Sequence, residues 1–92
     1  MINMETEVLT IEEVETNKEI EKSIVVFNDD VNSFDHVISC LVAYCEQTFE
    51  QAEQCASIIH HKGKYAVKCG SYDELKPIKE ALTEQGLDAR IS

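Results

Sequence analysis

The chain has 92 residues, room for one small domain, and 43% of them are hydrophobic, an ordinary level for a globular fold. A core of this size buries only about 60% of the surface that its unfolded chain exposes, so modest stability is expected. The net charge of −10 argues against nucleic acid, because binding phosphates needs clustered Lys and Arg; it suits a cationic ligand or a basic partner, although charge by itself favours plain solubility.

The opening residues Met1-Ile2-Asn3-Met4-Glu5 have no basic n-region and no apolar h-region, so they do not read as a signal peptide. No run approaches the roughly 18 apolar residues of a membrane span. A soluble, cytoplasmic protein is the expectation. The cysteines Cys40, Cys45, Cys55 and Cys69 include no C-x-x-C and fit no zinc or redox spacing. They read as small buried hydrophobes, reduced in the cytosol, and neither a metal nor another cofactor is expected.

Residues 1–22 carry seven glutamates against Lys18 and Lys22, with few, irregularly spaced apolar residues. This reads as a flexible, disordered acidic arm. The ordered domain is expected over 23–92. Ile24-Val25-Val26-Phe27 is a run of strand formers that stops at Asn28-Asp29-Asp30. A helix follows, capped by Asn32 or Ser33. Phe34, Val37, Ile38, Leu41, Val42 and Cys45 recur at helical spacing and predict its buried face. Thr48 and Gln51 form a capping box for a second helix, with Ala52, Cys55, Ala56 and Ile59 on one face and a stop at Lys62-Gly63. Lys64–Cys69 predicts a strand. Ser71 and Glu74 open a third helix, striped by Leu75, Ile78 and Leu82 and running to about Gln85, with Pro77 as a local conflict. After Gly86, alternating Leu87, Ala89 and Ile91 predict a last strand. The order β-α-α-β-α-β implies an α+β two-layer sandwich, a three-stranded sheet covered by helices.

The best place for chemistry is Asn28-Asp29-Asp30. Adjacent carboxylates repel unless a cation joins them. A free α-amino group has three N–H donors for carboxylate and amide oxygens. Asn and Asp are also ordinary turn residues, and the tripeptide alone favours a solvated turn. His60 follows Ile59 and could face the first strand's end, where a neutral ring accepts from an ammonium; a terminal histidine interacting with the helix dipole is equally familiar. A metal site from His60, His61 and Cys55 is not expected, because neighbouring histidines rarely point the same way. Phe34, Val37 and Ala56 read individually as core. Beside an ammonium site they would form a pocket for a bulky hydrophobic residue that carries a free N-terminus. No catalytic constellation or phosphate loop is present.

Val25-Val26-Phe27-Asn28-Asp29-Asp30, with Val37-Ile38 in the next helix, resembles the opening motif of ClpS adaptors. Ala52-Glu53-Gln54-Cys55 leading into Ile59-His60-His61-Lys62-Gly63-Lys64 is similar to their second motif. The resemblance covers about residues 23–92. It implies a monomeric adaptor, not an enzyme, that binds N-degron substrates beginning with Leu, Phe, Tyr or Trp. Such adaptors deliver them to a hexameric ClpA- or ClpC-like unfoldase with ClpP. It further implies that Asn28, Asp29 and His60 hold the substrate's α-amino group, that Asp30 and Asn32 contact its backbone, and that Val37 and Leu87 line the hydrophobic pocket. Phe34 and Ala56 fall where many members carry methionine. Asp73 falls at an acidic position of the unfoldase-docking face, and Ile78 stands where a Lys is often found. The acidic arm matches the family's unfoldase-engaging extension by position and composition.

Two other readings remain at this stage. Strand-then-paired-acids also occurs in phosphoacceptor receiver domains, but the ordered part is short for a doubly wound sheet and no Asp ends the Tyr65–Cys69 strand. A non-catalytic scaffold of the same fold needs no pocket at all, since fold does not fix function.

Overall fold

The computed structural model describes residues 20–92; the expected acidic arm lies, up to residue 19, outside the described residues. The elements run β1 (Lys22–Phe27), α1 (Phe34–Cys45), α2 (Phe49–Lys62), β2 (Lys64–Gly70), α3 (Tyr72–Glu84) and β3 (Asp88–Ile91). This is the expected β-α-α-β-α-β order. The strand order is β2-β1-β3, with both pairings antiparallel. Antiparallel pairing excludes the parallel, doubly wound receiver sheet.

β1 holds the centre because its alternation is complete. Ile24 and Val26 are fully buried toward the helices, while Val25 and Phe27 are half-buried on the opposite side. The β1–β2 register slips between Ile24, opposite Lys68, and Val25, opposite Ala66. Val67 is the extra residue of this bulge and is buried. The Gln47 side chain, in the α1–α2 turn, donates to the Val67 carbonyl at 3.0 Å and fastens that turn to the bulge.

Each helix begins at a short oxygen side chain. Ser33, not Asn32, caps α1: its hydroxyl accepts from the His36 N–H at 3.1 Å. Thr48 and Ser71 make the expected capping boxes of α2 and α3. Gly63 ends α2 with φ +97°, a conformation that glycine adopts without steric cost. Pro77 lies inside α3 without ending it. Its missing N–H deprives only the Asp73 carbonyl, one turn back near the helix start, of a partner.

The face of α1 differs from expectation. Its buried residues are Ile38, Cys40, Leu41 and Cys45, whereas Phe34 is 43% and Val42 40% exposed. The apolar stripe was wide enough to accommodate either flank; packing against α2 and α3 turns the Cys40 side inward, where its sulfur lies 3.6 Å from the His36 ring, itself 2.8 Å from the Gln85 carbonyl at the end of α3. Three cysteines are buried as expected; Cys69 is exposed and its sulfur lies 3.4 Å from the Ser23 hydroxyl. Burial raises the Cys40 thiol pKa and pushes that of Cys45 to about 11, which keeps both neutral. Leu41→Ala should therefore cost about 2–5 kcal/mol, and Val42→Ala less than about 0.5 kcal/mol, in urea denaturation at neutral pH.

Candidate functional site

Where β1 ends, three short connections meet. The Asn28 N–H donates to the Gly63 carbonyl at 2.8 Å, so the strand's end is tied to the end of α2. That bond brings Asn28 beside the last turn of α2, where His60 stands. The next residue, Asp29, organises the loop into α1. One carboxylate oxygen accepts from the N–H groups of Val31 at 2.9 Å and Asn32 at 2.8 Å. The other accepts from the Asn32 side-chain amide at 2.7 Å. The same amide donates to the Gly86 carbonyl at 2.9 Å and links the loop to the α3–β3 turn. Gly86 has φ +95°, so any other residue there would be strained.

These bonds set the charge state of Asp29. The Asn32 N–H is the largest influence holding its carboxyl below the ordinary value; partial burial opposes it, and the Asn32 side chain and the Val31 N–H add to the lowering. An ionised carboxylate offers about four acceptor directions. Three are used within the loop, which leaves one for a ligand.

A cavity of about 400 Å³ opens next to this loop, lined by Asn28, Asp29, Asp30, Asn32, Phe34, Val37, Ala56, Ile59 and His60. It has a polar end and an apolar end. Asn28, Asp29 and Asp30 supply acceptors from the β1 terminus and His60 an imidazole from α2. Val37 and Phe34 come from the first turn of α1; Ala56 and Ile59 come from the inner face of α2. The two alanine and isoleucine side chains are buried, whereas the Phe34 ring, 43% exposed, stands where solvent reaches it. Such a cavity can take an ammonium at one end and an apolar side chain at the other.

The expected pocket residues thus converge, with one exception: Leu87 is buried in the core and does not line the cavity. Asp73, expected on a separate docking face, stands exposed on the first turn of α3, away from the lining. Ile59 was read only as core, although its place three residues from Ala56 on the same helical face was the signal for its second role. The tie from Asn32 to Gly86 had no sequence signal. His61 turns back along α2, with its ring nitrogen 2.8 Å from the Ser57 carbonyl, and its ring meets that of His60 edge-on. Among the described residues, no group of three or more His, Cys, Asp or Glu is placed to hold a metal ion, and no helix is long and apolar enough to cross a membrane.

Comparison with known proteins agrees with this architecture. The family model for the ATP-dependent Clp protease adaptor protein ClpS matches residues 7–90. The ClpS adapter protein of Thermosynechococcus vestitus is 32% identical over 65 residues, covering 70% of this chain and 69% of that protein. The ClpS adapter of a Nostoc species is 32% identical over the same length, covering 70% and 67%. Agrobacterium tumefaciens ClpS2, solved bound to L-phenylalaninamide, superposes with a TM-score of 0.66 at 16% identity, covering 82% of this chain and all of that one; this likeness establishes the fold. The chain belongs to the ClpS family of adaptors for the ATP-dependent Clp protease.

Removal of the Asn32 side-chain amide takes away one of the three hydrogen bonds to Asp29 and leaves both backbone N–H donors. In Asn32→Ala the Asp29 carboxyl should titrate closer to its ordinary value, followed by carboxyl NMR. The lowered pKa of the folded state stabilises the fold above the unfolded pKa and ceases to do so as pH falls through the folded value. Wild type should therefore lose more stability than Asn32→Ala between neutral pH and about pH 3, near and below the carboxylate range.

Proposed function

We propose that this adaptor recognises N-degron substrates: proteins whose first residue is bulky and hydrophobic and whose α-amino group is free. Asn28, Asp29 and His60 hold the ammonium, Asp30 and Asn32 the leading backbone, and Phe34, Val37 and Ala56, with Ile59, the first side chain. The observation that carries this reading is the meeting of three acceptor side chains and an apolar wall in one 400 Å³ cavity.

The chemistry fits an α-ammonium better than a lysine. A lysine's amine sits on a long apolar stem, so its charge is far from any second side chain. An N-terminal residue carries charge and side chain on one carbon, as the cavity's two adjacent ends require. Each charge-assisted hydrogen bond contributes about 1.5–3 kcal/mol net. The Asp29 carboxylate meets the ligand already oriented, so little entropy is lost in arranging it.

Delivery is the second half of the proposal, and membership of the adaptor family supports it. The bound substrate passes to a hexameric AAA+ Clp unfoldase, ClpA- or ClpC-like, joined to ClpP, with the exposed Asp73 region of α3 as a contact. The adaptor acts as a cytoplasmic monomer, performs no bond chemistry itself and needs no cofactor. The reading is tested by fluorescence anisotropy of peptides identical except for the first residue: Leu, Phe, Val and N-acetyl-Leu. Leu and Phe should bind, Val more weakly, and the acetylated peptide not at all, because acetylation replaces the ammonium with an amide. Asp29→Ala should weaken binding about ten- to hundredfold, the equivalent of one charge-assisted bond. His60→Ala, an exposed position, should weaken it about tenfold without altering stability. Affinity indifferent to acetylation would reduce the protein to a scaffold of the same fold.

A further inference from the structure

The three helices cover one face of the sheet and leave the other open. On that open face Val25, Phe27 and Ala66 form an apolar floor, and a shallow groove of about 450 Å³ runs over them, bounded by Lys64, Tyr65, Arg90 and Ser92. Phe27 sits between two cations. The Arg90 guanidinium lies 4.5 Å from the ring centroid and the Lys64 ammonium 5.6 Å. Asp88 pairs with Arg90 at 3.1 and 3.2 Å, but this pair is exposed and contributes little by itself. Among the described residues Lys64 has no carboxylate partner. The open face is thus a locally cationic, partly apolar surface on a chain whose net charge is −10.

We propose that the acidic N-terminal arm of the same chain docks on this face. Residues 1–19 contain six glutamates and one lysine, and Val8, Leu9, Ile11 and Val14 are interspersed with Glu12, Glu13 and Glu15. This is the complement of the groove: apolar side chains for Val25, Phe27 and Ala66, and carboxylates for Lys64 and Arg90. The point of attachment favours it. The arm joins β1 at Lys22, in the central strand of the very face to be covered. From Lys22 to Phe27 the strand rises about 17 Å at roughly 3.3 Å per residue. A chain that reverses near Ile20 therefore brings residues 12–15 level with Phe27. The link is short, so the local concentration of the arm at the groove is in the millimolar range, and weak contacts suffice. The N-terminus cavity contains none of the groove's residues, so docking leaves it open.

The test is ¹⁵N NMR of the full chain, comparing wild type with Glu12→Gln/Glu13→Gln/Glu15→Gln. These substitutions remove charge and leave the apolar side chains of the segment in place. The amides of Val25, Phe27, Ala66 and Arg90 should shift between the two proteins, and the heteronuclear NOE of residues 11–15 should fall in the variant. Lys64→Glu/Arg90→Glu should lower that NOE equally, as should about 1 M salt, which shortens the screening length to about 3 Å. Unmoved open-face amides in the arm variant would overturn the proposal. So would shifts that grow with protein concentration, which would make the occupant a second copy. If the Lys64/Arg90 variant does not fold, the arm variant and the salt series decide.

Discussion

The carboxylate of Asp29 is the interaction on which the site depends. Its three hydrogen bonds fix the path from β1 into α1, and through the Asn32 amide they reach the turn between α3 and β3. With the Asn28–Gly63 bond, the ends of β1, α2 and α3 are gathered at one point. A small sheet with helices on one side has few ways to build a concave site. Here the cavity lies where these ends are held together by polar bonds, between the first turn of α1 and the inner face of α2.

The same bonds explain how paired acids are tolerated. Asp29 and Asp30 are neighbours in the chain, and Asp29 finds its hydrogen-bond donors within the loop. Donors from Val31 and Asn32 stabilise the charge on Asp29, so the site is anionic before a ligand arrives. Such electrostatics favour a cation, and in the proposed reading the apolar wall of Val37, Ala56 and Ile59 selects what that cation carries. The two faces of the sheet thus have opposite character: an anionic pocket at the edge of the helical layer, and a cationic, half-apolar surface on the uncovered side.

Most of this could be read from the residues. Strands and helices were legible because their periods were clean and their caps were chemical: Thr48 with Gln51, Ser71 with Glu74, glycine after Lys62. The tripeptide Asn28-Asp29-Asp30 and His60 could be matched because each lies at the end of a well-defined element. What escaped was three-dimensional. Whether Cys40 or Val42 faces the core depends on the rotation of α1, which a broad apolar stripe leaves free. Leu87 has the hydrophobicity of a pocket residue, but only the packed structure shows it buried elsewhere. The bulge at Val67 and the bridge from Asn32 to Gly86 join residues distant in sequence, and neither has a local pattern. The Phe27 ring between Lys64 and Arg90 is likewise a product of strand register, not of composition.

The central claim is that the cavity at the end of β1 binds a free α-amino group together with its side chain. Amide shift mapping with L-phenylalaninamide tests it most directly, because this ligand is little more than those two groups. The account predicts saturable shifts confined to residues 28–37 and 56–60, absent with N-acetyl-phenylalaninamide. Shifts centred elsewhere, or equal with the acetylated compound, would contradict it.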